Sequence, residues 1–148
     1  MIEDVRIGAD LGPRGEPERA DLLAAAGVLD RADCPPGFVG HSALWARDRD
    51  LLVGQGAIVE LRPDAPSRPN LVPRGMPLST RIALIDMLAV RPEYTETGLE
   101  ERLSRALVAA FAGAIPRPAE AVIYMGRARA PVLLSTLLAL GPVEEALR

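Results

Sequence analysis

The alternation and clustering of apolar positions along this 148-residue chain lay out a series of elements. Val5–Ile7 is a short strand candidate, followed by the loop Leu11-Gly12-Pro13-Arg14-Gly15. The spacing predicts a helix over Glu16–Ala26. Pro17 stands at its start, acids fill its first turn, Gly27 ends it, and Ala20, Leu22, Leu23 and Ala24 cover one broad face. Asp33-Cys34-Pro35-Pro36-Gly37 is a loop. Ser42–Arg47 and Leu51–Leu61 read as strands joined by the polar turn Asp48-Arg49-Asp50, which together make a hairpin. Gly54 and Gly56 lie inside the second strand, where glycine marks a bulge or a close backbone approach. Arg62–Leu78 carries five prolines, which exclude a helix and a central strand. A loop of this length is either a lid on the substrate side or a plain extended connection.

Ser79–Val90 is the next strand. Strict alternation puts Ile82, Leu84, Asp86, Leu88 and Val90 on one face and Ala83, Ile85, Met87 and Ala89 on the other. Both faces are apolar, so this strand is central and covered on both sides. Asp86 is the exception. Gly98–Ala114 is the strongest helix, with Leu99, Leu103, Ala106, Leu107, Ala110, Phe111 and Ala114 recurring at three- and four-residue spacing. Ala121–Tyr124 reads as a short strand and Pro131–Leu140 as a second apolar helix before Gly141-Pro142. The order is β-α-β-β-β-α-β-α in one α/β (α+β) domain over residues 1–148, without internal repeats.

Composition narrows the chemistry. With 49% hydrophobic and 25% charged residues the chain is globular rather than disordered. All 17 basic residues are arginine, which rules out a lysine nucleophile, a Schiff base and a phosphate-loop lysine. A net charge of −3 gives no footprint for nucleic acid. One cysteine, Cys34, excludes an internal disulfide and a cysteine-based zinc site, and one histidine, His41, excludes a histidine-rich metal centre. No apolar run follows Met1 as in a signal peptide, and Pro131–Leu140 is too short to span a bilayer. The expectation is a cytoplasmic protein with no metal, no nucleic-acid partner and no membrane association.

The junction Leu84–Leu107 carries a more specific pattern. A strand ending Leu88-Ala89-Val90 runs into Arg91-Pro92-Glu93-Tyr94, then Gly98-Leu99 and a leucine-rich helix. This is similar to the coenzyme A signature of the GNAT superfamily of acyl-CoA N-acyltransferases, and the element order from about Val5 to Pro142 agrees with that family. The chain supplies the family's Val90, Pro92, Tyr94, Gly98 and Leu99. It carries Thr95 where Gln or Arg is usual, Glu96 at the first Gly, and Glu100 where Gly or Ala is usual. The resemblance implies a mixed central sheet flanked by helices. It implies acetyl-CoA or another acyl-CoA as co-substrate, held by backbone groups of Leu88, Val90, Thr95, Glu96, Thr97, Gly98 and Leu99. It implies direct acyl transfer to a small-molecule or peptide amine. Many family members have a tyrosine general acid at the position occupied here by Leu137, flanked by Ser135 and Thr136. The fold normally ends in two more strands, for which Val143–Arg148 is too short. An open edge of that kind implies a partner chain or a homodimer. Glu96, Glu100, Leu137 and the missing strands define the alternative: a catalytically inactive binding or regulatory module on the same fold.

Among single side chains Asp86 is the most informative. A carboxylate in an apolar strand must be paired or near solvent. Two readings stand: the general base that the resemblance implies, or the ion-pair partner of an arginine such as Arg81 or Arg127. Glu60 is a second base candidate with a surface alternative. Tyr94 is a packing residue of the turn, His41 a surface or capping residue, and Cys34 incidental, since no histidine lies near it in sequence. Arg127 and Arg129 follow the fifth strand, where they would bind an anion or sit in a solvated loop.

Overall fold

The computed structural model describes residues 4–31, 33–116, 120–125 and 130–138. Six strands form one mixed sheet in sequential order: β1 (Val5–Gly8), β2 (Phe38–Asp48), β3 (Leu51–Leu61), β4 (Arg81–Val90), β5 (Ala121–Met125) and β6 (Ala130–Leu133). The first four are antiparallel neighbours, β5 runs parallel to β4, and β6 returns antiparallel to β5. The helices are α1 (Gly15–Ala26), α2 (Arg68–Leu71), α3 (Leu99–Ala114) and α4 (Leu134–Leu138). No helix among the described residues is long and apolar enough to cross a membrane.

α3 makes the crossover from β4 to β5 and packs on β2, β3 and β4. Of the predicted stripe, Leu99, Leu103, Leu107 and Phe111 are fully buried, Ala106 and Ala110 are half-buried and Ala114 is exposed, while Val108 joins the buried set. Gly54 and Gly56 of β3 let this helix lie close. A Cβ on Gly56 would stand 2.8 Å from Leu107 Cδ1 and 3.1 Å from Leu88 Cδ1, and one on Gly54 would stand 2.9 Å from Leu103 Cδ1. Gly56→Val is therefore expected to destabilise by about 1–3 kcal/mol through overpacking. Gly113→Ala, on a helical residue with nothing within 4 Å of the added Cβ, is expected to be neutral or stabilising. Urea denaturation midpoints of the two variants check the contrast.

The opposite face is covered by the proline-rich connection. Leu71, Val72 and Met76 pack on the cluster of Leu61, Ala65, Ile82 and Val122. Its clasp is Arg68, whose guanidinium donates to the carbonyls of Leu61 (3.1 Å), Arg62 (3.2 Å), Leu78 (3.1 Å) and Thr80 (2.6 Å). Tyr124 Oη donates to the Leu71 carbonyl, and burial raises its pKa. The segment is a packed cover of the core.

Four expectations change. Within Arg62–Leu78 the chain does form a helical turn, α2, because Pro69 falls in the first turn, where a proline lacks no needed donor. The segment predicted as one helix over Pro131–Leu140 begins as a strand. Pro131 and Val132 pair with Tyr124 and Ile123 before α4 starts at Leu134, and a proline is tolerated there because β6 is an edge strand. The observed order is thus β-α-β-β-α-β-α-β-β-α. The hairpin strand expected at Ser42–Arg47 extends over Phe38–Asp48, with a register shift between Gly40 and Ser42.

The fourth change is in β4. Ala83 and Ile85 pack with the α3 cluster around Phe111, yet Leu88 and Val90 pack with the α3 cluster around Leu103. Alternation has slipped by one residue between them. The cause is a bulge: β3 pairs Ala57 with Asp86 and Gln55 with Ala89, so Met87 and Leu88 share the place of one residue. Met87 takes φ 53°, a left-handed conformation unusual for a side chain of its size. Buried Gln55 donates from Nε2 to the Met87 carbonyl at 3.1 Å and holds the bulge in place. Asp86 therefore lies on the face away from α3, while Leu88 and Val90 face it.

Candidate functional site

The site grows out of that bulge. β5 pairs with β4 only as far as Leu84 opposite Tyr124. From Ile85 to Val90 no described strand pairs with β4 on that side. A groove of about 560 Å³ follows this free edge, between the segment after α1 (Ala26–Leu29) and the start of α3 at Thr95 and Glu100. Adjoining it, a second, open cavity of about 380 Å³ is lined by Asp33, Cys34, His41 and Ser42. Arg31, Asp86 and Met87 line both.

Arg31 is placed by local structure. α1 ends at Gly27 in a left-handed cap, with the Gly27 N–H on the Ala24 carbonyl at 3.2 Å and the Val28 N–H on the Leu23 carbonyl at 3.0 Å. Arg19 then holds Asp30 through two hydrogen bonds of 2.8 and 3.1 Å. That pairing lowers the Asp30 pKa and raises that of Arg19. The next residue reaches β4, where Arg31 Nη2 donates to Asp86 Oδ1. The Asp86 side chain is 7% exposed and that of Arg31 is 37% exposed.

Of the two readings of Asp86, the ion pair with an arginine is present, and its partner is Arg31 rather than Arg81. Arg81 instead grips Glu60 at 2.6 and 2.7 Å, which raises the Arg81 pKa and leaves Glu60 half-buried and engaged rather than on the surface. Arg127 and Arg129 lie outside the described residues, as do residues 139–148.

Among the residues expected to hold a cofactor, Leu88, Val90 and Thr95 line the groove with Asp86, and Glu100 joins them. Glu96, Thr97, Gly98 and Leu99 are not in its lining. Leu99 is fully buried beneath α3. Gly98, at φ 83°, turns the chain from a 3-10 turn at Pro92–Tyr94 into α3, a conformation that favours glycine. The threonine hydroxyls serve the turn: Thr95 Oγ1 donates to the Pro92 carbonyl at 3.0 Å and Thr97 Oγ1 to the Tyr94 carbonyl at 2.6 Å. Their amides donate to the same two carbonyls at 3.3 and 3.2 Å. Open donors at this end come from the first turn of α3, whose amides have no helical acceptor.

The arginines nearest in sequence are occupied elsewhere. Arg91 pairs with Asp21 at 2.7 Å and donates to the Leu52 carbonyl, Arg102 donates to the Val5 carbonyl at 2.9 Å, and Arg105 pairs with Glu101 at 2.9 Å. Among the described residues Arg31 is the one basic side chain in the groove lining. No cluster of three or more His, Cys, Asp or Glu among the described residues is placed to hold a metal ion.

Tyr94 ties the turn to the hairpin by donating from Oη to Asp48, and the paired carboxylate raises its pKa. The folded phenol keeps its proton more tightly than the unfolded one. The stabilisation is full below the unfolded pKa of about 10 and fades as pH rises through the folded value. Tyr94→Phe is expected to cost about 1 kcal/mol near neutrality. It should also remove this part of the stability loss above about pH 10, which thermal melts across pH 8–11 would reveal.

Sequence reasoning missed Arg31, Gln55 and the meeting of Cys34, His41 and Ser42 around one cavity. His41 Nδ1 and Ser42 Oγ are 3.0 Å apart, and the His41 ring stands edge-on to Phe111 at 5.0 Å. The one signal in the sequence was the carboxylate of Asp86, which required some partner.

No protein-family model and no curated protein sequence matches the chain.

Proposed function

We propose that this chain is a GNAT-like N-acyltransferase that moves an acetyl or other acyl group from acyl-CoA to an amine by direct transfer. The observation that carries the reading is the groove along the free edge of β4, which runs from buried Asp86 to the first turn of α3. An unpaired strand edge offers amides and carbonyls to an extended, amide-containing arm. A helix start offers amides and positive partial charge to a phosphate. Leu88 and Val90 would supply the first, and Glu100 and its neighbours in the first turn the second.

The amine nitrogen would attack the thioester carbonyl, forming the C–N bond as the C–S bond breaks and the thiolate leaves with the electron pair. Nitrogen must then lose a proton, and Asp86 is the buried carboxylate lining both cavities. Leu137, where the family has a tyrosine, packs on the core cluster of Phe111, so the thiolate would take its proton from solvent.

A second reading, an inactive binding or regulatory module on the same fold, is favoured by a specific observation. Glu100 lines the phosphate end of the groove, while Arg91, Arg102 and Arg105 all donate elsewhere. Titration calorimetry with acetyl-CoA and coenzyme A tests the cofactor site, and mass-spectrometric detection of acyl transfer that Asp86→Ala abolishes separates the two readings. Saturable heat that Glu100→Ala strengthens is expected of the enzyme, because the variant removes a like charge from the phosphate end. No heat at millimolar ligand would end the acyltransferase reading. An association of two copies through a sheet edge belongs to the same proposal, and a clean monomer in sedimentation at micromolar concentration would remove it.

A further inference from the structure

We infer that the acceptor is a zwitterion, a free α-amino acid or a close analogue carrying amine and carboxylate on one carbon, and that Arg31 and Asp86 recognise it as a pair. The inference rests on the acyltransferase reading for the fate of the amine, but the binding site stands on its own geometry.

Arg31 and Asp86 touch through one nitrogen and one oxygen, Nη2 and Oδ1. Among the described residues, Arg31 Nε and Nη1 have no acceptor and Asp86 Oδ2 has no donor. Among the described residues the pair is thus half satisfied. A guanidinium presents a planar fork of donors that matches a carboxylate through two parallel bonds, and here most of that fork is open. Among the described residues the carboxylate likewise keeps one oxygen for a cation. Opposite charges held side by side, each with an open position, form the complement of a small molecule that bears the same two charges side by side.

The surroundings select size and orientation. The pair stands where the 380 Å³ cavity meets the groove, so a ligand bound to it has its side chain in the cavity and its amine facing the groove. That volume suits one small molecule rather than a folded chain. Ala43, Ala57 and Ile58 make part of the wall apolar, while Ser42 and His41 add polar groups. A peptide N-terminus lacks the adjacent carboxylate, since its α-carboxyl is already an amide, and would leave Arg31 without its anion. A simple alkylamine would do the same. Asp33, also in the lining, adds a second negative charge that opposes a lone anion without an amine.

The test uses the twenty free amino acids, their carboxamides and the matching decarboxylated amines. Binding is read by calorimetry in the absence of acyl donor, and kcat/KM for acylation is read by mass spectrometry in its presence. At least one free amino acid is expected to bind about 10–100-fold more tightly than its carboxamide, the ratio set by a charge-assisted hydrogen-bond pair. Arg31→Gln should bring that ratio close to one. Arg31→Lys, which keeps the charge but loses the fork, should leave an intermediate ratio and guards against a folding defect in the first variant.

Equal affinity for acid, amide and amine, an unchanged ratio in Arg31→Gln, or no binding by any amino acid would overturn the inference. Selective binding of amino acids with no acyl transfer would uphold this site and remove the acyltransferase reading. Transfer to amines with no preference for the carboxylate would do the reverse.

Discussion

Phe111→Ala is expected to lower the unfolding free energy by about 3–5 kcal/mol. The ring is fully buried at the centre of the cluster formed by Ile58, Ala83, Leu107, Val108, Ile115, Ala121, Ile123 and Leu134. Those residues come from β3, β4, β5, α3 and α4, so the ring touches most of the layers that make the sheet one body. Ile58, Ala83, Ala121 and Ile123 are anchored in strands and cannot close the space it leaves, which adds a cavity term to the lost transfer energy. It also loses the edge-on contact with His41 at 5.0 Å. Phe111→Leu keeps most of the volume and is expected to cost under about 1.5 kcal/mol. Urea denaturation of both variants measures the difference. A Phe111→Ala cost below 1 kcal/mol would mean that α3 does not pack on the sheet as described.

The second large effect falls on activity. On the proposed acyltransferase reading, Asp86→Asn is expected to reduce kcat/KM for acyl transfer by about 10²–10⁴-fold, the usual contribution of a positioned proton acceptor. The amide keeps the size of the side chain and one acceptor oxygen for Arg31 but cannot take the proton. Stability should respond in the opposite order. Asp86→Asn leaves a guanidinium whose side chain is 37% exposed and can be rehydrated, so the fold loses little. Arg31→Ala leaves a carboxylate that is only 7% exposed with no counterion among the described residues. Its expected cost is about 1–3 kcal/mol, less than for a fully buried pair because Arg31 itself reaches solvent. Arg31→Ala combined with Asp86→Leu should recover most of it. Melting curves of the three variants beside the unaltered protein and one rate assay give all four values. Equal stability losses for Asp86→Asn and Arg31→Ala would show that the carboxylate is not buried.

Much of the architecture was legible along the chain because its signals are local. The period of Leu99, Leu103, Leu107 and Phe111 shows a helix and its buried face without reference to anything else. The glycines of β3 announced a close approach, and α3 is what approaches. Leu51–Leu61 and the end of β4 at Val90 fall where alternation and the following proline put them. Misreadings occurred where a local signal was outweighed by a pairing partner. Pro131–Leu133 is apolar enough for a helix, but β5 offers it a ladder that its proline can join at an edge.

Of the candidate site, the sequence by itself determined that one carboxylate stands in an apolar strand and that a turn rich in polar residues leads into a helix. The tertiary structure decided the rest. The bulge at Met87 and Leu88, held by Gln55, turned Asp86 to one face and Leu88 and Val90 to the other, and alternation alone could not show the slip. Arg31 lies 55 residues from Asp86 in the chain. Nothing local to either residue encodes their meeting, which follows from the cap of α1, the Arg19–Asp30 clip and the packing of α1 on β3 and β4. Periodicity records which way a residue faces within its own element. Which charges meet is set by how separate elements pack, and in this chain that packing joined two cavities at a single ion pair.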